Sequence, residues 1–130
     1  MANRCLDWLN QSFRDLEQAK DSRRDGRHEW ACFASHQSAE KAIKALHLYL
    51  GQEAWGHVLS RLIADLPESI GVTDDLIEKC RILDNFYVPT RYPNGHSEGA
   101  PLEHYGPLQS EEATRYASEV VEFVSSQMGR

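Results

Sequence analysis

The chain has 130 residues and a formal net charge of −6, with 41% hydrophobic and 26% charged residues. These values are typical of a single globular domain that can bury its own core, so we treat 1–130 as one domain. The acidic balance argues against indiscriminate binding to nucleic acid, because the average field repels phosphate. It leaves room for a local basic site or for one formed by two subunits.

Other broad classes are excluded by simple patterns. No window contains eighteen uninterrupted apolar residues, and the first twenty residues lack the apolar core of a signal peptide. We therefore predict a cytoplasmic protein without a membrane span. The three cysteines, Cys5, Cys32 and Cys80, form no CxxC pair and are predicted to be small buried hydrophobes.

No cofactor or metal is predicted. The sequence has no P-loop, no GxGxxG and no GxSxG motif. The two loop histidines His96 and His104, with Glu98 or Glu103, fit no standard zinc spacing.

The dominant hydrophobic period is helical. A first helix is predicted over residues 4–22, where Leu6, Leu9, Phe13 and Leu16 recur at three- and four-residue steps. A second is predicted over residues 29–50. This helix is apolar and rich in alanine and serine, so other helices can approach it closely, and we expect it at the centre of a bundle.

Three further helices follow. Residues 57–66 predict a short helix that Pro67 ends, and residues 74–87 predict a fourth helix with Thr73 as its N-cap. A last helix is predicted over residues 111–128, with Ser110 as its cap. The intervening residues 88–109 carry four of the five prolines and are predicted to form a long loop, which in a small domain is usually functional or disordered. The predicted fold is all-α, an up-and-down bundle of four long helices plus one short helix.

The loop holds an R-x4-H pattern, Arg91 to His96. Pro89 should break the fourth helix, and the Asn94–Gly95 turn should fold His96 back toward Arg91. A guanidinium offers paired donors to phosphate oxygens, and a histidine can move a proton near neutral pH. Together they could cleave RNA through the ribose 2′-hydroxyl without a metal.

Tyr87 and Tyr92 flank this pair and could provide stacking faces for a base. An alternative interpretation is structural. Arg91 would then form an ion pair with a carboxylate such as Asp84 or Glu98, and His96 would be a solvated loop residue. The tyrosines would simply close the end of the bundle.

Several polar residues of the second helix share one face by spacing, namely Gln37, Glu40, Lys41 and Lys44. One interpretation is a polar pocket that faces Arg91 and holds a phosphate, with Lys41 as a binding residue. The other is an exposed Glu40–Lys44 ion pair.

Two histidines outside the loop also need interpretation. His36 lies among small residues and is expected to be a packing residue with satisfied hydrogen bonds. His57 opens the predicted third helix, where it could cap the helix or bond a loop carbonyl. Helix starts also attract phosphates, so His57 is a candidate binding residue.

Three segments in order resemble the HEPN domain family, named for higher eukaryotes and prokaryotes nucleotide binding. They are WACFASHQSAEKAIKALHLYLG in the second helix, GHVLSRLI at the third, and LDNFYVPTRYPNG after the fourth. The resemblance covers nearly the whole chain. It implies a four- or five-helix up-and-down bundle that is often a homodimer.

The resemblance also implies functions. Many members pair with a minimal nucleotidyltransferase in toxin–antitoxin-like systems, and a subset are metal-independent ribonucleases with an R-x4-6-H motif at the dimer interface. Arg91 and His96 match that spacing. A non-catalytic branch that binds nucleotides, or that docks a nucleotidyltransferase, is the alternative.

Overall fold

The computed structural model describes residues 3–130, and within that range it contains helices and turns but no strand. Its α-helices are α1 (Cys5–Arg24), α2 (His28–Tyr49), α3 (Leu59–Ala64), α4 (Asp74–Asp84) and α5 (Pro107–Gln127). Short 3₁₀ turns occupy Glu68–Ile70, Pro93–Gly95 and Pro101–Glu103. The predicted all-α bundle of four longer helices and one short helix is confirmed.

Helix α2 lies at the centre, as its composition predicts, and packs against each of the other four α-helices. The small side chains that allow this close approach are fully buried, namely Ala31, Ser35, Ser38, Ala39, Ala42 and Ala45. The hydroxyl of Ser38 donates a hydrogen bond of 2.7 Å to the carbonyl of Ser12 in α1. Small residues thus bring the two backbones together and also supply a polar tie between them.

The buried face of α1 differs in part from the prediction. Leu9 is buried, but Leu6 is 39% exposed. Phe13 and Leu16 pack against the core as partly buried side chains, and the other buried positions of α1 are Ser12, Ala19 and Ser22. Close helix packing favours small residues at the contact, even polar ones, so the apolar period alone located this face imperfectly.

Helix α3 begins at Leu59, two residues later than predicted, and its start depends on a distant residue. The carboxylate of Asp84 accepts hydrogen bonds from the amide of Leu59 (2.6 Å), the amide of Ser60 (3.3 Å) and the hydroxyl of Ser60 (2.6 Å). These are N-terminal groups that a helix leaves without internal partners. Capping was one of the roles considered for His57, and it is not observed, because the Asp84 carboxylate accepts from these amides.

Helix α4 begins as predicted, with the Thr73 hydroxyl accepting a hydrogen bond of 3.2 Å from the amide of Leu76. It ends at Asp84 rather than at Tyr87. Phe86 remains buried beyond its end, and the hydroxyl of Thr90 donates to the Phe86 carbonyl at 2.9 Å. The chain therefore turns away from the helix axis before Pro89 is reached.

Helix α5 begins at Pro107, so the prediction of Ser110 as its cap is wrong. Proline is well suited to the first helical position, because the amide it lacks would have no partner there. The side chain of Gln109 reaches back and accepts from the amide of Gly106 at 3.1 Å. Ser110 is fully buried inside the first turns, 2.8 Å from Nδ1 of His28.

Cys32 and Cys80 are fully buried in the core, as predicted, and Cys5 is partly exposed. Burial raises the pKa of both buried thiols to about 12. None of the helices found in residues 3–130 has the length and apolar character needed to cross a bilayer.

Candidate functional site

Arg91 lies on a group of aromatic rings at the end of the bundle. Its guanidinium carbon is 4.3 Å from the ring centroid of Phe33, 4.8 Å from that of Tyr87 and 5.3 Å from that of Tyr92. Its Nε donates to the carbonyl of Tyr87 at 2.9 Å. Among residues 3–130 it forms no ion pair, so the proposed pairing with Asp84 or Glu98 is absent. Its charge is therefore positioned by rings and one carbonyl and stays open to an anion.

His57 lies on the same tyrosine. Its ring stacks on Tyr87 with centroids 4.5 Å apart and an interplanar angle of 18°. The preceding Gly56 has φ of +96°, a conformation that a residue with a side chain rarely adopts. That turn brings His57 from the loop onto the bundle, with its side chain about half exposed (51%).

A buried carboxylate holds the His57 ring. Nδ1 of His57 is 2.8 Å from Oε1 of Glu40, whose side chain is only 6% exposed. The carboxylate accepts, so Nδ1 carries the proton and Nε2 is left with no hydrogen-bond partner among the described residues. Lys44 lies 3.3 Å from the other carboxylate oxygen of Glu40 and is itself 12% exposed. The Glu40–Lys44 pair exists as predicted, but it is buried rather than exposed.

His36 supports the same arrangement from below. It is fully buried, and its Nε2 donates to the backbone carbonyl of His57 at 3.0 Å. Its Nδ1 accepts from the side-chain amide of Gln37 at 3.1 Å. Burial lowers the pKa of His36 below its ordinary value, and the nearby Glu40 carboxylate only partly opposes that effect. His36 is a packing residue with satisfied hydrogen bonds, as predicted, and it fixes the position of His57.

His96 lies in a different environment. Its Nε2 donates to the carbonyl of Pro89 at 2.7 Å, and its ring stacks on His104 with centroids 3.9 Å apart. The Pro93–Gly95 turn does fold the loop back, but onto Pro89. A Cβ on Gly95 would lie 2.8 Å from the Pro89 Cα, so this close return requires glycine. Within residues 3–130, no hydrogen bond joins Arg91 to His96.

Lys41 is also occupied elsewhere. It forms an ion pair with Asp15 of α1, and both side chains are largely buried. It lines a cleft of about 390 Å³ between α1 and α2 that also contains Trp30 and Phe33. Phe33 lines this cleft and also contacts Arg91, whereas the Lys41 ammonium is paired with Asp15 of α1.

Of the predicted site residues, the structure brings together Arg91, Tyr87, Tyr92 and His57. It gives His96 and Lys41 other partners. We call the cluster of Phe33, His57, Tyr87, Arg91 and Tyr92, with Glu40 beneath it, the arginine–tyrosine surface. Sequence reasoning missed two of its members, Phe33 and Glu40 as the partner of His57. Glu40 and His57 are far apart in sequence, and no local pattern signals such a pair.

The row of aromatic rings continues along α2. Trp30 contacts Phe33 edge-on at 6.3 Å, and Phe33 is 6.3 Å from Tyr87. Trp30 is 47% exposed and Tyr92 is 51% exposed. In residues 3–130, no group of three or more His, Cys, Asp or Glu side chains could hold a metal ion. The groups at this end of the bundle are one arginine, a row of aromatic rings and the His57–Glu40 pair.

Comparison with known proteins gives a consistent result. The model of the HEPN domain matches residues 5–127. The crystal structure of TT1696 from Thermus thermophilus is similar with a TM-score of 0.94 and 46% identity, over 97% of this chain and 99% of that chain.

Two further solved structures agree. ST0689, an archaeal HEPN homologue, has a TM-score of 0.82 and 37% identity, over 98% of this chain and 99% of that one. A HEPN domain protein from Thermotoga maritima has a TM-score of 0.77 and 27% identity, over 95% and 98%. No curated protein matches. The match to the family model and the similarity to these structures show that the chain belongs to the HEPN domain family.

Proposed function

We propose that this HEPN domain is an RNA-directed module that cleaves RNA without a metal, at the arginine–tyrosine surface. The observation that carries the proposal is one shared tyrosine. An arginine without a carboxylate partner and a histidine held by a buried carboxylate both lie on the ring of Tyr87, at 4.8 and 4.5 Å from its centroid. One tyrosine ring thus anchors both a candidate phosphate-binding group and a candidate proton-transfer group.

Arg91 binds the phosphate in this proposal. A guanidinium presents paired donors that match phosphate oxygens and can stabilise the charge that develops on them during attack. Only Nε of Arg91 is used internally, on the Tyr87 carbonyl. The other donors of its fork stay free among the described residues, as phosphate binding requires.

His57 acts as the general base. Its free Nε2 takes the proton from a ribose 2′-hydroxyl, and the 2′-oxygen attacks the adjacent phosphorus. The bond to the 5′-oxygen breaks, that oxygen takes a proton from water, and the hydroxide so formed takes the proton from the His57 imidazolium. The products are a 2′,3′-cyclic phosphate and a 5′-hydroxyl. Glu40 holds Nδ1–H at 2.8 Å, which fixes the tautomer and stabilises the imidazolium that forms.

Tyr92 and Trp30 provide stacking faces for the bases that flank the scissile phosphate. Both are about half exposed; Trp30 packs edge-on against Phe33, and Tyr92 lies under the Arg91 guanidinium. Stacking on such rings contributes about 1–3 kcal/mol per base and tolerates any sequence. Broad base preference is therefore expected.

His96 is the other candidate for proton transfer, on the R-x4-H spacing. Its Nε2–H is used on the Pro89 carbonyl and its ring is covered by His104, which makes it the less available of the two histidines. Because a second subunit at this end of the bundle would be able to reorganise the loop, His96→Ala is the variant to compare with His57→Ala.

We propose a homodimer in the cytoplasm. A two-fold axis beside the arginine–tyrosine surface would place two copies of Arg91 on one substrate while the rings of Tyr92 and Trp30 stay accessible to its bases. That pairing would concentrate positive charge on a chain whose net charge is −6.

The test is cleavage of a mixed RNA pool in EDTA by the wild type, Arg91→Ala and Arg91→Lys. We expect cleavage by the wild type, none by Arg91→Ala, and weak cleavage by Arg91→Lys, because an ammonium cannot form the paired contact. An inactive wild type with intact fold would refute the ribonuclease proposal.

A second candidate function is non-catalytic docking of a minimal nucleotidyltransferase. Three apolar side chains outside the arginine–tyrosine surface favour this function, because they are largely exposed in the single chain. Trp55 and Leu108 are each 82% exposed, and Leu102 is 69% exposed. Co-purification of the two proteins, after co-expression with a nucleotidyltransferase encoded by a neighbouring gene, would support the docking function. Loss of that complex in Trp55→Ala or Leu108→Ala, with RNA cleavage absent throughout, would favour docking over catalysis.

A further inference from the structure

A concave region borders the connection between α2 and α3, residues 50–58. One pocket there has a volume of about 450 Å³, within the range of sites for small ligands. A smaller pocket of about 200 Å³ adjoins it, because residues 53–55 line both. We call the two pockets together the Trp55 groove. The Trp55 groove shares no lining residue with the arginine–tyrosine surface.

Trp55 is presented from a connection that is held at both ends. Its side chain is largely exposed. Near α2, the backbone amide of Gln52 donates to the carbonyl of His47 at 2.8 Å. Near α3, the buried carboxylate of Glu40 holds the ring of His57. A ligand that contacts the indole therefore meets an anchored backbone and has little chain entropy to overcome.

The floor of the larger pocket is also fixed. His47 lines this pocket and is almost fully buried. Its Nε2 donates to the carbonyl of Leu62 at 2.7 Å, and its Nδ1 lies 3.3 Å from the side-chain amide of Gln52. One imidazole thus ties the connection to α3. The larger pocket is therefore formed before any ligand arrives.

The charges of the Trp55 groove favour a cation. Glu53 and Asp65 line the larger pocket, and neither carboxylate forms an ion pair or a hydrogen bond among residues 3–130. No lysine or arginine of the described chain lines that pocket. Lys44 lines the smaller pocket, but it is paired with the carboxylate of Glu40 at 3.3 Å. The potential in the larger pocket is therefore negative and complements a positive ligand.

We propose that the Trp55 groove binds a linear aliphatic polyamine, in which methylene chains separate ammonium groups. The face of an indole attracts an ammonium group, and the two carboxylates accept its N–H bonds. Trp8 and Leu48 line the smaller pocket and offer apolar surface to the methylene groups. An inorganic cation would leave the indole of Trp55 unused, and an uncharged apolar molecule would leave both carboxylates unmatched. A polyamine satisfies all three features, and its site is additional to the proposed RNA site.

The test is isothermal titration of the purified protein with spermidine, putrescine and butylamine, at fixed pH and ionic strength. The variants are Trp55→Ala, Trp55→Phe and the double variant Glu53→Gln with Asp65→Asn. The matched control is the double variant Asp25→Asn with Glu122→Gln, which removes two exposed carboxylates outside the Trp55 groove.

We expect Trp55→Ala and the double variant of the groove to weaken spermidine binding by about fivefold or more. Trp55→Phe should lie between Trp55→Ala and the wild type, because a smaller ring remains. The control should bind spermidine like the wild type. Butylamine should bind more weakly than putrescine, because a single ammonium group matches only one of the two carboxylates.

Tryptophan fluorescence provides a second measurement. Spermidine should change the emission of the wild type and of Trp30→Phe, and it should change that of Trp55→Phe much less. Binding of none of the three amines would overturn the proposal. So would binding that survives Trp55→Ala, or binding that falls equally in the control, which would mean general attraction to an acidic chain. Equal affinities for butylamine and putrescine would refute the pairing of two ammonium groups with two carboxylates.

Discussion

His57 and His96 were both candidate site residues, and the structure gives them opposite environments. His57 has its Nδ1 held by a buried carboxylate, its ring stacked on Tyr87 and its Nε2 free among the described residues. His96 uses Nε2 on a backbone carbonyl and is covered by His104. A histidine is prepared for proton transfer by what occupies its other nitrogen, and sequence spacing to an arginine does not report that.

Replacing each of these two histidines should give the largest difference in the rate of RNA cleavage. We expect His57→Ala to lower RNA cleavage by about 10²–10⁴-fold, the range for loss of a general base. His96→Ala should lower it by less than about tenfold, because that ring supports the loop. Initial rates in EDTA, with circular dichroism to confirm the fold, provide the measurement. The reverse order of effects would restore His96 as the catalytic histidine.

Glu40→Gln should produce the next largest effect. The glutamine can still accept from His57 Nδ1–H, but it lacks the charge that stabilises the imidazolium, and it can present its amide group instead. We expect cleavage to fall by about 10–10³-fold while RNA binding, measured by anisotropy, stays near the wild-type value. Weakened binding with an unchanged rate would mean that Glu40 only shapes the surface.

Asp84→Ala should act on stability. It removes the acceptor of three hydrogen bonds at the start of α3, two of them from backbone amides. Because hydrogen bonds to a charged group contribute about 1.5–3 kcal/mol, we expect a loss of about 2–3 kcal/mol in the free energy of unfolding. Urea denaturation measures it, and Asp74→Ala is the control, since Asp74 lies in the first turn of α4 and its side chain forms no hydrogen bond or ion pair among the described residues. Equal losses in the two variants would contradict the capping role.

The smallest effect concerns pH. The pKa of His36 is lowered in the folded state, so the unfolded chain takes up this proton first as the pH falls. The stabilisation is complete above about pH 6.5 and is lost as the pH drops below that value toward the lowered pKa. His36→Gln should remove this component, so the wild type should lose more stability than the variant between pH 7.5 and pH 5.5. Parallel profiles of unfolding free energy against pH for the wild type and His36→Gln would refute this role of His36.

Much of the fold was predictable because it depends on local signals. The apolar period located α1, α2, α4 and α5, and Thr73 marked the start of α4. The start of α3 was not predictable from its own residues, because its cap is Asp84, 25 residues away. The start of α5 was misplaced because Pro107 was assigned to the loop, although proline suits a first helical turn.

The candidate site was predictable only in part for the same reason. Arg91, Tyr87 and Tyr92 are close in sequence, and their proximity survives folding. The Glu40–His57 pair joins residues 17 positions apart and depends on the angle at which the loop crosses α2. The hydrogen-bond partner of His96 depends on where the Asn94–Gly95 turn places its ring, and that partner is the carbonyl oxygen of Pro89.

The bond network around Asp84 also has a kinetic consequence. One carboxylate at the last residue of α4 secures the first two amides of α3, so neither end can fray alone without leaving polar groups unpaired. The two segments should therefore open as one cooperative unit, with amide exchange of Leu59 and Ser60 following the opening of the α4 terminus. His57 lies two residues before α3, so its ring should leave the bundle when the α3 start and the α4 end open together.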